Sequence, residues 1–148
     1  MIAISNIGYQ GVPCVNGSDA VGNMVLYDPK DKSMRRLTFD QDANWNPVIM
    51  NNGRVMYTRW EYTDLTHYYS RIVMHMNPDG TENKALYGSG AMFPNSTFDV
   101  QPLPGHGSAF VGIISGHHGV ARSGRMIIFD PTKGRTVSYT HLTLPTIA

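Results

Sequence analysis

The chain has 148 residues, of which 41% are hydrophobic and 10% aromatic, enough to form one globular domain with a buried core. Only 16% of the residues are charged, against about 25% in an average soluble protein, whereas 15 Gly and 9 Pro indicate many turns. This composition excludes a collagen-like or a wholly disordered chain. The net charge is +1 and no basic cluster extends beyond Arg35-Arg36, so the sequence predicts no nucleic-acid partner, and its lack of a long apolar run predicts no membrane span.

Short β-like segments follow one another along the chain and are separated by turn signals. They are rich in β-branched, aromatic and Met residues, as in NMVLYD, RVMYTRW and RIVMHM. Asx-Pro and Asn-Gly pairs lie between several of them, and no segment has the pattern of a long helix. The sequence therefore predicts an all-β fold with antiparallel strands near 2–7, 23–28, 34–39, 45–50, 54–60, 71–76, 83–87, 97–102, 109–114 and 125–130.

The pattern of strand and turn repeats about every fifty residues. The segments VLYDPKDKSMRRLTF, VMHMNPDGTENKALY and IIFDPTKGR share an apolar strand that ends in Asx-Pro, and Pro29, Pro78 and Pro131 lie 49 and 53 positions apart. Each unit can supply four strands, here named A to D, which is the size of a propeller blade. Because the chain enters at a strand B and ends before the last strand D, we expect a partial β-propeller of about two and a half blades.

Both ends of the chain predict a fragment of a larger protein. So few blades cannot close a ring, and Met1 precedes a strand B rather than a strand A. The segment Val137 to Thr146 (VSYTHLTLPT) can be translated from DNA that resembles a transposase adapter used to prepare sequencing libraries; the alternative is a natural Thr- and Leu-rich strand. We expect residues 1–136 to form the propeller fragment and 137–148 to be a non-native tail.

Several motifs resemble a known propeller family. LTFDQDANWNPVIMNNGRVMYTRWE followed by RIVMHMNPDGTENKAL is similar to the TolB-like propeller repeat, in which an L-T step, a W-x-P strand and an N-x-D-G turn recur. Together with GYQGVPCVNG, YGSG and ISGHHGVARSGR, these motifs resemble the propeller region of proteins related to the hydrazine synthase alpha subunit. The resemblance covers nearly all of residues 1–136 and implies a periplasmic or extracellular location.

In that enzyme the resemblance implies c-type haem, bound through C-x-x-C-H, and a metal near one haem. This chain has one cysteine, Cys14, and no such motif, so we expect no covalent haem within it. Two functions stay open. The first is a binding or scaffold module that contacts a protein partner or the remaining blades. The second is part of a metal- or haem-dependent oxidoreductase whose haem-binding motifs lie outside this fragment; the absent motif favours the first.

Strand parity places the candidate site at one rim of the blades. In a four-stranded antiparallel blade the B–C and D–A loops emerge on the same face. These loops hold most of the side chains capable of chemistry: Cys14, Asp19, Asp40, Asp42, Glu61, Asp64, His67, His117, His118 and Arg122. We expect Cys14 and His117 or His118 to share this rim, with Asp19 or His67 nearby.

Each candidate has a structural alternative. A thiolate and an imidazole suit zinc, yet two protein ligands are too few for a structural site, and Cys14 is favoured as a packed thiol. The glycines beside His117-His118 let the backbone approach a metal or an anion, although neighbouring side chains of a strand point in opposite directions. Arg59-Trp60-Glu61 indicates an end-of-strand ion pair with an aromatic ring between blades, and Asp40 and Asp42 indicate turn or capping groups.

Overall fold

The computed structural model describes residues 2–5, 21–40, 43–60, 71–88, 96–115 and 124–134. Each predicted strand is present and begins within one residue of its expected start. The strands are β1 Ile2–Ser5, β2 Asn23–Tyr27, β3 Met34–Arg36, β4 Asn44–Ile49, β5 Val55–Trp60, β6 Arg71–Met76, β7 Lys84–Tyr87, β8 Thr97–Pro102, β9 Phe110–Ile114 and β10 Arg125–Phe129, followed by a 3₁₀ turn at Pro131–Lys133. The predicted tail, 137–148, lies outside the described residues.

The strands form three antiparallel sheets in chain order. The first has the order β1-β2-β3, the second β4-β5-β6-β7 and the third β8-β9-β10. The all-β, antiparallel prediction is therefore confirmed within each sheet, and no sheet closes on itself in the described part of the chain. One isolated parallel bridge, between Arg71 and Ser96, joins the second sheet to the chain entering the third, so the pairing is not antiparallel throughout.

The second sheet is covered on both faces, because alternate side chains of its central strands pack against different neighbours. On one face Val55, Tyr57 and Met74 form a core with Met24 of the first sheet. The opposite face packs against the third sheet through a second core made of Met50, Met56, Val73, Tyr87, Val100, Phe110, Ile127 and Phe129. Tyr87 stacks on Phe129 with ring centroids 4.2 Å apart. The two cores stack the three sheets face to face.

The first strands of the second and third sheets carry the same irregularity. The pairing of β4 with β5 shifts register between Trp45 and Val48, and the pairing of β8 with β9 shifts between Phe98 and Gln101. The residue after each aromatic ring has a positive φ, 53° at Asn46 and 49° at Asp99. Two residues thus face one at a bulge in each strand. The same irregularity thus recurs at the corresponding place of both strands.

The L-T step and the N-x-D-G turn meet at the junction of the first two sheets. Leu37 is buried, and its backbone N–H donates to Met24 O over 2.9 Å. Gly80 lies directly against it: a Cβ added at Gly80 would stand 3.1 Å from Leu37 O. Arg35 Nη1 donates to Asp79 O over 2.9 Å and ties the same turn to β3.

Replacing Gly80 by Ala tests this junction. Gly80 has a φ of 89°, so an alanine suffers backbone strain and also presses on Leu37. Gly53, with a φ of 79° and open space around its Cβ position, supplies the matched control that suffers the strain alone. Urea unfolding should show a loss of about 1 kcal/mol for Gly53→Ala and about 2–3 kcal/mol for Gly80→Ala. Equal losses would show that the turn does not support the sheet junction.

Candidate functional site

The strands end at two chemically different places, named here the loop end and the turn end. At the loop end Ser5 pairs with Asn23, and Trp60 pairs with Arg71. The backbone N–H of Asn44 donates to Gly22 O over 2.8 Å, which brings the first two sheets together there. The opposite, turn end carries the short hairpin turns that follow β2, β4, β6 and β8.

The segments that contain the predicted site residues connect strands at the loop end. Most of the candidates lie outside the described residues: Cys14, Asp19, Asp42, Glu61, Asp64, His67, His117, His118 and Arg122. The strand ends that flank them are described, however, and the pairs Ser5–Asn23, Trp60–Arg71 and Ile114–Arg125 all close hairpins at this end. Whether Cys14 meets His117 or His118 therefore stays a prediction.

Buried polar side chains concentrate at the loop end. Among the described residues, the buried polar side chains lie at or near the strand ends on this side: Asn23, Thr38, Asn44, Thr58, Arg71, Ser96, Thr97 and Ser115. Burying polar groups costs free energy unless they are hydrogen-bonded, so a protein rarely gathers them at one place without a structural or binding role. The loop end is therefore the candidate site.

Thr38 organises the hydrogen bonds between the first two sheets. Its Oγ1 accepts from Met24 N over 3.0 Å and from Asn44 Nδ2 over 3.1 Å, and it donates to Asn23 Oδ1 over 3.4 Å. Arg36 Nη2 donates to the same Asn23 oxygen over 3.1 Å. One hydroxyl thus bonds polar groups of two strands, β2 and β4, which gives the L-T step a physical role beyond the packing of Leu37.

Two buried oxygens at this end have no hydrogen-bond partner among the described residues. They are Asn44 Oδ1 and Thr97 Oγ1, on side chains that are essentially inaccessible. Both residues begin the first strand of a sheet, so they occupy the same position of the repeat. An unsatisfied buried oxygen costs about 1–3 kcal/mol. A hydrogen-bond donor that reached either oxygen would therefore stabilise the loop end.

Asp40 and Arg59 form the ion pair of the loop end. Arg59 Nη1 lies 2.9 Å from Asp40 Oδ1, and Asp40 Oδ2 accepts from Asn44 Nδ2 over 3.0 Å. The sequence predicted an end-of-strand ion pair at Arg59-Trp60-Glu61. Arg59 pairs with Asp40, and Glu61 lies outside the described residues. The sequence predicted a turn or capping role for Asp40, whose two carboxylate oxygens are engaged by Arg59 and Asn44.

A cluster of aromatic rings surrounds Arg71. The guanidinium carbon lies 4.8 Å from the ring centroid of Trp60, 5.1 Å from Trp45 and 5.5 Å from Phe98. Trp45 and Trp60 stack with centroids 5.9 Å apart, and Trp60 also packs with Val21, as expected for an aromatic residue between sheets. Cation–π attraction offsets part of the cost of burying this arginine between the second and third sheets.

An open cavity of about 400 Å³ lies beside this cluster, between the bulges of β4 and β8. Its lining residues are Trp45, Asn46, Thr58, Phe98 and Asp99. Asn46 Nδ2 donates to Asp99 Oδ1 over 2.8 Å across the gap between the two sheets. This cavity was not predicted from the sequence. The signal that could have indicated it is an aromatic residue followed by Asn or Asp, which occurs in both NWNPVI and TFDVQP.

The titratable groups of the turn end are engaged in local structure. Hydrogen bonds from Thr81 and Thr132 hold the pKa values of the Asp79 and Asp130 carboxyls below their usual range. Burial, assisted by the nearby Arg54 charge, lowers the pKa of His75, whose Nδ1 accepts from Arg54 Nε over 3.0 Å. These groups stabilise turns and strand ends, so they are already engaged by protein groups and are weaker candidates for a functional site.

The described ranges contain neither a candidate metal site nor a candidate membrane helix. No three His, Cys, Asp or Glu side chains approach closely enough there to hold a metal ion. The zinc proposed at Cys14, His117 and His118 concerns residues outside those ranges. None of the described segments forms an apolar helix long enough to cross a membrane.

Replacing Thr38 by Val tests the loop-end network, because valine keeps the shape and removes the hydroxyl. Met24 N and Asn44 Nδ2 would lose a buried acceptor, and unfolding measurements should show a loss of about 3 kcal/mol. Thr132→Val is the control, since the Thr132 hydroxyl bonds Asp130 at an exposed turn and its loss should cost less than about 1 kcal/mol. A loss at Thr38 no larger than that of the control would contradict the network.

No protein-family model, curated protein or solved structure matches the chain. The likeness to TolB-like repeats and to the propeller region of proteins related to the hydrazine synthase alpha subunit stays a prediction.

Proposed function

We propose that the chain is a segment of a β-propeller and serves as a binding or scaffold module of a larger secreted or periplasmic protein. Three consecutive antiparallel sheets stacked face to face support this proposal. The shared bulge and the shared Asx-Pro turns support it further, because propeller blades are repeats of one such unit.

The observation that carries the proposal is the outer face of the third sheet, defined as Val111, Ile113, Met126 and Ile128. Along β9 and β10 these residues alternate with Phe110, Gly112, Ile127 and Phe129, which are buried against the second sheet. An antiparallel sheet with one wet face ordinarily presents polar residues there. This sheet is apolar on both faces, as is the second sheet, which has a neighbour on each side.

The repeat shows what kind of neighbour the outer face requires. The strand pairings align Met24, Val73 and Met126 at one position of the third strand of the unit. Met24 and Val73 are 0% exposed because the next sheet covers them, whereas Met126 is 40% exposed. A further sheet of the same kind, packed on Met126 as the third sheet packs on Val73, would extend the stack and complete the pattern.

The binding or scaffold role follows from the division between the two ends. The loop end gathers buried polar groups and the points where the chain leaves and re-enters the sheets, whereas the sheets supply a rigid support. The oxidoreductase alternative requires haem-binding motifs elsewhere in the gene. A haem absorption band of the natural full-length protein would favour it.

Substitution of Met126 tests the open face. The wild-type chain should self-associate as its concentration rises in sedimentation velocity, because the uncovered apolar face seeks a partner. Met126→Glu should weaken this association at least about tenfold, since it places a charge in the contact. Met34→Glu is the matched control: Met34 is 56% exposed but lies in β3, away from the outer face, and its substitution should leave association unchanged.

Two results would contradict the proposal. A wild-type chain that stays monomeric at every concentration would show that the outer face needs no neighbour. Equal effects of Met126→Glu and Met34→Glu would show that association uses another surface. Extending the chain with the next repeat of its natural gene should abolish self-association, because the added sheet then covers the face.

A further inference from the structure

We propose that the cavity between the bulges of β4 and β8 binds a neutral ligand rich in hydroxyl groups, of the size of one sugar ring. The proposal rests on the binding role stated above but does not require the propeller to close. It concerns only described residues, namely Trp45, Asn46, Thr58, Phe98 and Asp99.

The polar atoms of the cavity can accept hydrogen bonds from a ligand. The Asn46 amide N–H₂ already donates to Asp99 Oδ1 over 2.8 Å, so it holds the carboxylate in place. The amide oxygen of Asn46 and the second carboxylate oxygen of Asp99 remain as acceptors, since neither side chain forms a further hydrogen bond within the described residues. A ligand that carries hydroxyl groups supplies such donors, and the Thr58 hydroxyl adds one adaptable group.

The walls of the cavity favour a neutral ligand over a cation. Trp45 and Phe98 supply apolar surface for the carbon skeleton of a sugar ring. An organic cation would also seek these rings, but the Arg71 guanidinium already lies 5.1 Å and 5.5 Å from their centroids. The Arg71 charge therefore opposes the attraction that the Asp99 carboxylate exerts on a second cation, so we expect the cavity to favour neutral hydroxyl compounds.

The size and placement of the cavity fit the same class. Its volume, about 400 Å³, falls toward the lower part of the range of about 300–1,000 Å³ found for small-molecule sites. The two bulges set Asn46 and Asp99 at equivalent positions of neighbouring sheets, so one ligand can contact both sheets at once. Such a ligand would link the two repeat units through their first strands.

Tryptophan fluorescence tests the proposal directly. The chain has two tryptophans; Trp45 lines the cavity and Trp60 stacks on it, so both report on occupancy. We expect a saturable change in emission when the full chain is titrated with at least one of D-glucose, D-galactose and D-mannose. Tetramethylammonium chloride, the cationic probe, should give no saturable change.

The site is assigned by one substitution and its control. Asp99→Gly removes the carboxylate without strain, because glycine accepts the positive φ of this position. It should weaken sugar binding at least about tenfold, since hydrogen bonds to a charged group are lost. Gln101→Gly is the matched control: it removes an exposed side chain from the same strand outside the cavity and should leave binding unchanged.

Three results would overturn the inference: no saturable change with any sugar, saturation by tetramethylammonium instead, or equal sugar binding by wild type and Asp99→Gly. Its failure is distinct from a failure of the proposed propeller segment, since Asp99→Gly leaves the outer face of the third sheet intact. Conversely, Met126→Glu should weaken self-association while sugar binding persists.

Discussion

The architecture depends on one constraint: a sheet with apolar side chains on both faces must be covered on both. β6 shows it most directly, because Met74 faces the first sheet while Val73 faces the third, and both are buried. Each large apolar side chain that is fully buried contributes roughly 1.5–3 kcal/mol. Since this gain exists only when neighbouring sheets stack, the repeat unit is stabilised by its neighbours more than by its own hydrogen bonds.

The same stacking explains why the two ends of the strands differ. Short turns at one end, such as Asn77 to Gly80, fix the register of the hairpins and dock against the preceding sheet. At the other end Thr38 and Arg71 connect the sheets, Thr38 through hydrogen bonds and Arg71 through cation–π contacts. A rigid turn end and a polar loop end therefore place chemical variety on one side of a fixed support.

Sequence reasoning reached the strands because their limits are local. Asx-Pro turns at Pro29, Pro78 and Pro131 mark where β2, β6 and β10 end, and the alternating apolar runs mark the extent of the strands. It did not reach the Asn46–Asp99 pair or the aromatic surroundings of Arg71, since both arise from the register between sheets, which no single strand encodes. Thr38 appeared only as part of a motif. Its hydrogen bonds to β2 and β4 became visible only in the stacked structure.

Oxidation of methionine in the polypeptide of the natural full-length gene tests the central claim, that the stack continues beyond the third sheet. Met24, covered by the second sheet, and Met34, 56% exposed, provide internal references for buried and open positions. With dilute peroxide and peptide mass spectrometry, the account predicts that Met126 is oxidised as slowly as Met24. Oxidation of Met126 as fast as that of Met34 would contradict it.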